Sequence, residues 1–328
     1  MSYLVLGSTS FAGSSFVDYL LSQGERVIGI SRSIEPHPVM QPYFNNPNKQ
    51  AFQFYPFDLN NCLDDIINII KKYKPRYIVD FAGQGMVAES WSDPAQWYLT
   101  NIVSKVKLHH YLKDCDFLER YVRVSTPEIY GNAQEKLKED QLSNPSTPYA
   151  VSHAAIDMSL QAFFRQYQFP VILTRFANFY GPYQQLYRII PRTIIYALIN
   201  KKLPLHGGGT SERMFIYADD VSSGIYQAIR QGKLGEIYHF SNHPCVSIRG
   251  LVEKICALMK IDIASFVEIA EERAGKDNKY EMDSTKSQKE LDWKPRHALE
   301  DGLDKTIKWA KQHINIIRTL PLNYIHKP

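Results

Sequence analysis

An open, doubly wound parallel α/β sheet is the fold this chain predicts, on three observations. Short apolar runs alternate with helical patterns through residues 1–175, the rhythm of strand–helix–strand units. The first unit carries a turn with Gly7 and Gly13 between a strand and a helix. Polar residues gather past a strand end at Ser125, Thr126 and Glu128, and open parallel sheets bind ligands beyond the carboxyl ends of their strands.

Residues 3–6 form the first strand, and 11–21 a helix with Phe16, Val17, Leu20 and Leu21 on one face. The turn between them presents backbone N–H groups at a helix N-terminus, which suits a pyrophosphate. Gly7 and Gly13 hold its outer positions, with Ser10 between them offering a hydroxyl donor. Residues 27–30 are the second strand. An acid just past it would hold ribose hydroxyls, and positive charge a 2′-phosphate. Here Ser31, Arg32 and Ser33 follow, with no acid before Glu35, so NADP is favoured and NAD is second choice. Residues 36–49, rich in Pro and Asn, read as a loop. A strand at 51–55 leads to Phe57, Asp58 and Leu59. A helix at 62–73 carries Leu63, Ile66, Ile67 and Ile70 at helical spacing. Further strands are expected at 77–80, 121–124, 170–175 and 237–240, and helices at 96–113, from Tyr149 onward, at 186–202 and at 220–230. Ser247 is placed to cap one more helix.

The chain has 328 residues, 44% of them hydrophobic, enough for one large or two moderate domains. Its 38 basic and 34 acidic residues leave a net charge of +4, which offers neither a nucleic-acid stripe nor a polybasic membrane anchor. No apolar run is long enough to span a membrane. Residues 7–15 are too polar and small for the core of a signal peptide. The expectation is a soluble, cytoplasmic protein. Cys62, Cys115, Cys245 and Cys256 have no metal-site spacing, so they are expected as buried free thiols with no metal.

Ser125-Thr-Pro-Glu-Ile-Tyr-Gly131 and the later Tyr149, followed four residues on by His153, carry a resemblance. So do Arg175, Asn178, Tyr180, Gly181 and Pro182, in the pattern R-x-x-N-x-Y-G-P, and Arg213, Tyr217, Asp220 and Val221. Asp283 with Lys286, and Leu291, Trp293 and Pro295, extend it to about residue 310. The chain resembles the extended short-chain dehydrogenase/reductase family, within the nucleotide-sugar dehydratases and epimerases. The resemblance implies a Rossmann-like sheet with a smaller C-terminal substrate domain. Residues 1–175, with a returning segment at about 211–240, would hold the dinucleotide; 176–210 and 241–315 would hold the nucleotide sugar. It implies cofactor contacts from Gly7, Ser10, Phe11, Gly13, Arg32, Asp58, Leu59, Ala82, Tyr149 and His153. Substrate contacts would come from Gln84, Ser90, Asn178, Arg188, Arg213 and Arg273, and Asn101 would lie near the dinucleotide. Helices from Gln96 and Tyr149, with Phe163, Phe164 and Tyr167 facing outward, would pair subunits into a homodimer.

The chemistry implied is transient oxidation. Tyr149 takes the sugar O4 proton as hydride leaves C4, and the ketone acidifies the C5 proton. A free tyrosine titrates near 10, so work at neutral pH needs about three units of lowering, about 4 kcal/mol in favour of phenolate. The family supplies this partly with a lysine four residues later; here His153 stands there. Three readings stay open: a working substitute, a slower enzyme with a shifted pH range, or a non-catalytic NADP-binding regulatory protein. Thr126 would bond the C4 oxygen. Glu128 would take the C5 proton, and because Pro127 replaces the acid of glucose-type dehydratases, also protonate the leaving C6 hydroxyl. GDP-mannose 4,6-dehydratases share that lone Glu. The leading expectation is a nucleotide-sugar 4,6-dehydratase, with 4-epimerase and uronic-acid decarboxylase as alternatives.

Overall fold

The computed structural model describes residues 2–132, 135–271 and 281–327. In chain order the first half contains β1 (Ser2–Leu6), α1 (Phe11–Ser22), β2 (Arg26–Ile30), β3 (Phe52–Tyr55), α2 (Leu63–Tyr73), β4 (Tyr77–Asp80), α3 (Pro94–Tyr98), α4 (Ser104–Leu112), β5 (Arg120–Val124), α5 (Pro148–Tyr167) and β6 (Val171–Phe176). The second half contains β7 (Asn178–Tyr180), α6 (Ile189–Leu198), β8 (Leu203–His206), β9 (Glu212–Arg213), β10 (Phe215–Tyr217), α7 (Ala218–Gln231), β11 (Ile237–Phe240) and β12 (Val246–Ser247). It closes with α8 (Ile248–Met259), α9 (Ile263–Phe266), β13 (Val267–Ala270), α10 (Thr285–Glu290) and α11 (Leu299–Ile317).

Seven strands form one parallel sheet in the order β11-β6-β5-β4-β1-β2-β3. The direction of winding reverses between β1 and β4, which opens a crevice at their carboxyl ends. The central strands are buried on both faces, as strands of a parallel sheet covered by helices on both sides are. On one face Phe16, Val17, Leu20 and Leu21 of α1 join Ile225 and Ile229 of α7 over Tyr3 and Val5. On the other, Ile66 and Ile70 of α2, Leu108 and Leu112 of α4 and Leu160 of α5 cover Leu4 and Ile78. Each such side chain contributes roughly 1.5–3 kcal/mol. A further core sits between α6, α8 and α11, with Ile194, Leu251 and Ile307 at its centre.

Several expectations are corrected. The helix at 96–113 is α3, a π turn over Leu99–Val103, and α4. The loop at 36–49 holds short 3₁₀ turns at Pro38–Met40 and Pro42–Asn45. Only Cys256 is buried; Cys62, Cys115 and Cys245 are half-buried, though all four are free. Phe163 and Phe164 pack against the sheet's second face, because α5 rolls them under its C-terminal half. Of the three aromatics only Tyr167 is exposed, whereas Leu99, Val103, Val151 and Met158 face outward instead. Ser247 does cap α8, accepting from the Gly250 N–H at 2.9 Å. Among the described residues no helix is long and apolar enough to cross a membrane.

Candidate functional site

The crevice is built by the turns after β1 and β4. Gly7 has φ +76°, and a Cβ there would lie 2.6 Å from the Ala82 backbone nitrogen. Only glycine lets these two turns touch. A Cβ on Gly13 would lie 2.2 Å from the Gly7 carbonyl oxygen. Ser10 is the N-cap of α1, accepting from the Gly13 N–H at 3.0 Å while donating to the Gly7 carbonyl at 2.7 Å. The hydroxyl proton expected to face a phosphate therefore closes the turn. Phe11 is buried against Phe179, the rings stacked at 5.1 Å. Phe11 and Gly13 thus shape the turn from behind.

A cleft of about 580 Å³ opens from this turn and is walled by Gly7, Ser10, Arg32, Asp58, Leu59, Ala82 and Gln84. Ile30, Phe57 and Leu59 give it an apolar end, and Ser31, Arg32 and Ser33 a polar rim. Asp58 caps its own turn through the Asn60 N–H at 2.6 Å. The Glu35 carboxylate accepts from the Tyr43 hydroxyl at 2.9 Å. Glycines that touch backbone, the N-terminus of α1 at the turn and an apolar slot fit a nicotinamide dinucleotide.

Lys327 reaches the same rim. Its carbonyl accepts from Arg32 at 2.9 Å and from the Gln84 amide at 2.8 Å, and its ammonium donates to Ser33 at 3.1 Å. His326 stacks on Trp97 at 5.5 Å. Nothing in the local sequence signals this long-range return. Gln84 also accepts from Arg32 at 3.1 Å. Asn101, buried in the π turn, clamps the Gln84 backbone through bonds of 2.7 and 3.1 Å and donates to Ser152 of α5 at 2.9 Å.

Deeper in, the end of β5 meets the start of α5. Thr126 is buried, and its hydroxyl oxygen accepts from the Glu128 N–H at 3.3 Å. Thr147 caps α5 through the Ala150 N–H at 3.2 Å, which sets Tyr149 in the first turn. Burial, and next the Glu128 charge, push the Tyr149 phenol up to about 12, against the Thr126 hydrogen bond and the charges of Arg188 and Arg123. These residues therefore share one site. The Tyr149 and His153 rings lie 4.5 Å apart. Burial, with Arg123 and Lys105 behind it, holds the His153 imidazole well below its usual range, so it is neutral.

Behind His153 lies a buried polar network that the sequence did not disclose. Arg123 of β5 approaches His153 Nδ1 at 3.0 Å. Lys105 of α4 pairs with Asp80 of β4 at 2.6 Å and also donates to the Ala82 carbonyl. Asp157 of α5 takes Arg175 at 3.0 Å and the Ser125 hydroxyl at 2.6 Å. Tyr121 donates to Asp80 at 2.8 Å. Burial alone would raise the Asp80 carboxyl, but Lys105 and Arg123 bring it net below its usual range. Burial, together with Arg123, pushes the Lys105 ammonium down to about 8. The alternation of β5, RYVRV, gave no signal of this network, because a strand with one solvated side shows the same pattern.

The remaining substrate candidates are more scattered. Arg188 precedes α6 with its guanidinium 5.4 Å from the Tyr187 ring. Asn178 opens β7, its N–H on the Met214 carbonyl at 3.1 Å. Arg213 of β9 donates to the Glu212 carbonyl at 2.8 Å. Ser90 is fully buried, donating to the Val87 carbonyl at 2.6 Å within its own turn. Arg273 lies outside the described residues.

Residues 4–306 match the family model described as GDP-mannose 4,6 dehydratase. The dTDP-glucose 4,6-dehydratase of Haemophilus influenzae is 30% identical over 94% of this chain and 97% of its own. A dTDP-glucose 4,6-dehydratase from Bacillus anthracis, solved in complex with NAD, superposes with a TM-score of 0.85 at 30% identity, covering 95% of this chain and 97% of the other. Another from Streptomyces venezuelae, with NAD bound, gives a TM-score of 0.88 at 28% identity over 96% of this chain and 98% of the other.

Proposed function

The chain belongs to the GDP-mannose 4,6-dehydratase family, and on that premise we propose that it is a nucleotide-sugar 4,6-dehydratase yielding a 4-keto-6-deoxy product. The observation that carries this is the Glu128 carboxylate, close enough to Tyr149 to be, after burial, the next cause that raises its phenol, with Pro127 in place of a second acid. Gly7, Leu59 and Ala82 would hold the dinucleotide, with Gly13 supporting the turn from behind, and Tyr149 and His153 would hold its nicotinamide end. When bound, the nicotinamide supplies a reversible hydride acceptor at the sugar's C4 and donor at its C6. Thr126 orients the O4 hydroxyl and Tyr149 takes its proton. Glu128 removes the C5 proton and passes it to the C6 hydroxyl, which leaves as water. The proton taken from O4 balances the one finally returned to C5.

Arg188 and Arg213 are assigned to the diphosphate, as charged bidentate donors, and Asn178 to the sugar side. Residues 176–210 and 241–315 are assigned to the nucleotide-sugar half of the cleft. NADP is the favoured form of the cofactor, supported by Arg32, Ser33 and Lys327 at the cleft rim. The exposed Leu99, Val103, Val151 and Met158 on adjacent helices support a homodimer, and a cytoplasmic setting suits this chemistry. The test is incubation with GDP-, dTDP- and UDP-hexoses plus either dinucleotide, products read by mass and NMR. Loss of one water with a C4 ketone is expected. Inversion at C4, loss of carbon dioxide, or no turnover with any sugar would overturn the assignment.

A further inference from the structure

His153 stands where the family carries lysine, and a neutral imidazole brings no permanent charge. The charge lies one layer deeper. Arg123 has a side chain only 1% exposed, with Nη2 3.0 Å from His153 Nδ1. A guanidinium can only donate, so Nδ1 must accept, and the single ring proton is left on Nε2, on the other side of the imidazole.

The surroundings of that guanidinium are unbalanced. β4 contributes Asp80, α4 Lys105, α5 Asp157 and β6 Arg175, all with side chains at most 5% exposed. Asp80 lies nearer Lys105, at 2.6 Å, than Arg123, at 3.6 Å. Asp157 lies nearer Arg175, at 3.0 Å, than Arg123, at 4.0 Å. With Arg123 there are three cations against two carboxylates, and Arg123 has the weaker claim on each. A buried cation without a matched partner is costly, so the cluster favours a negative charge forming nearby. On the open side, Glu128 opposes the Tyr149 phenolate while Arg188 and Arg123 favour it. His109, Tyr121, Tyr130 and His239 complete the buried surroundings as neutral hydrogen-bonded rings.

We propose that Arg123 is a positioning residue through which this chain replaces the family lysine: it fixes His153 with its proton on Nε2 and keeps a permanent positive charge behind the ring and Tyr149. Its catalytic part rests on the dehydratase reading; its structural part does not.

The experiment has two arms. In full-length protein labelled with ¹⁵N-histidine and free of ligand, the His153 signals, assigned by their loss in His153→Gln, should show bare Nδ1 and protonated Nε2. They should stay so from pH 7 to about pH 5, below the free-histidine midpoint. A protonated Nδ1, or an imidazolium at pH 7, would overturn the proposal. In the second arm Arg123→Met should lower kcat about tenfold at neutral pH and move the rate limb towards alkaline pH by about one unit, with KM little changed. Adding His153→Lys to Arg123→Met should restore most of the rate, since lysine carries its own charge. An unmoved profile in a folded Arg123→Met, or no recovery in the double variant, would also overturn it. If Arg123→Met does not fold, the imidazole signals of the native chain still decide. If no sugar reacts with the native protein, the dehydratase reading fails while the Arg123–His153 pairing is judged on those signals alone.

Discussion

Burial, and next the Glu128 charge, hold the Tyr149 phenol up, so under the proposed mechanism removing the Glu128 charge has two separable effects. Glu128→Gln keeps the shape but cannot take the C5 proton. Water loss should fall by roughly 10²–10⁴, while C4 oxidation, seen as absorbance of reduced nicotinamide on mixing with sugar nucleotide, should survive. Exchange of the C5 hydrogen with deuterated water should vanish. The limb of the oxidation step should also move to lower pH, because a negative neighbour no longer opposes phenolate. Retained C5 exchange would remove Glu128 from the mechanism. Thr126, Glu128 and Tyr149 are legible in the chain because they sit in two short stretches, a strand end and a helix start, that a parallel sheet brings together. Arg123 was not. The alternation of residues 121–124 reads as one buried and one solvated face, but β5 is central and both faces are covered. Periodicity reports contrast along a strand and says nothing of what packs on its polar side.

Asn101 shows how one irregular turn fixes the site. The π turn at Leu99–Val103 adds a residue to the winding, and such turns often mark functional places. It carries the Asn101 amide inward, tying the segment after β4 to α5. Asn101→Leu should leave the Gln84 N–H and C=O unsatisfied, lowering stability by roughly 2–4 kcal/mol in denaturant unfolding. Because Gln84 walls the cleft, dinucleotide affinity measured by calorimetry should fall in parallel. Normal affinity with reduced stability would confine Asn101 to the fold. Residues 96–113 read as one helix because a single inserted residue leaves the apolar period nearly unchanged, with no glycine or proline to mark it. The small pairs β8–β13 and β9–β12 escaped for another reason: two to four residues carry too little pattern, and their partners lie far along the chain. The seven-stranded sheet was legible because most of its strands are short runs rich in apolar residues and most are separated by helices; β5, RYVRV, and the β2–β3 link, which holds only 3₁₀ turns, are the departures.

For the molecule as a whole, the buried network predicts how stability follows pH. Burial holds His109 and His239 down to about 3, and His153 well below its usual range. Each is neutral when folded and takes a proton near 6.5 when unfolded. The unfolded chain therefore binds more protons below that value. The stability these residues contribute is complete above about pH 6.5 and is lost as the pH falls, by up to about 1.4 kcal/mol per unit for each histidine. Three together approach roughly 4 kcal/mol per unit, a large share of a typical total of 5–15 kcal/mol. Asp18, Glu139 and Asp219 work in the opposite sense. Burial raises each of them, so the folded chain takes up their protons before the unfolded chain does. That uptake opposes the histidine loss, which sets in over the window from about pH 6.5 to 5. Urea midpoints measured across that window should drop steeply, with His109→Gln reducing the slope by about a third. A flat midpoint would mean that the imidazoles can charge in place, and that burial, aided secondarily by the neighbouring cations, is too weak to keep them neutral.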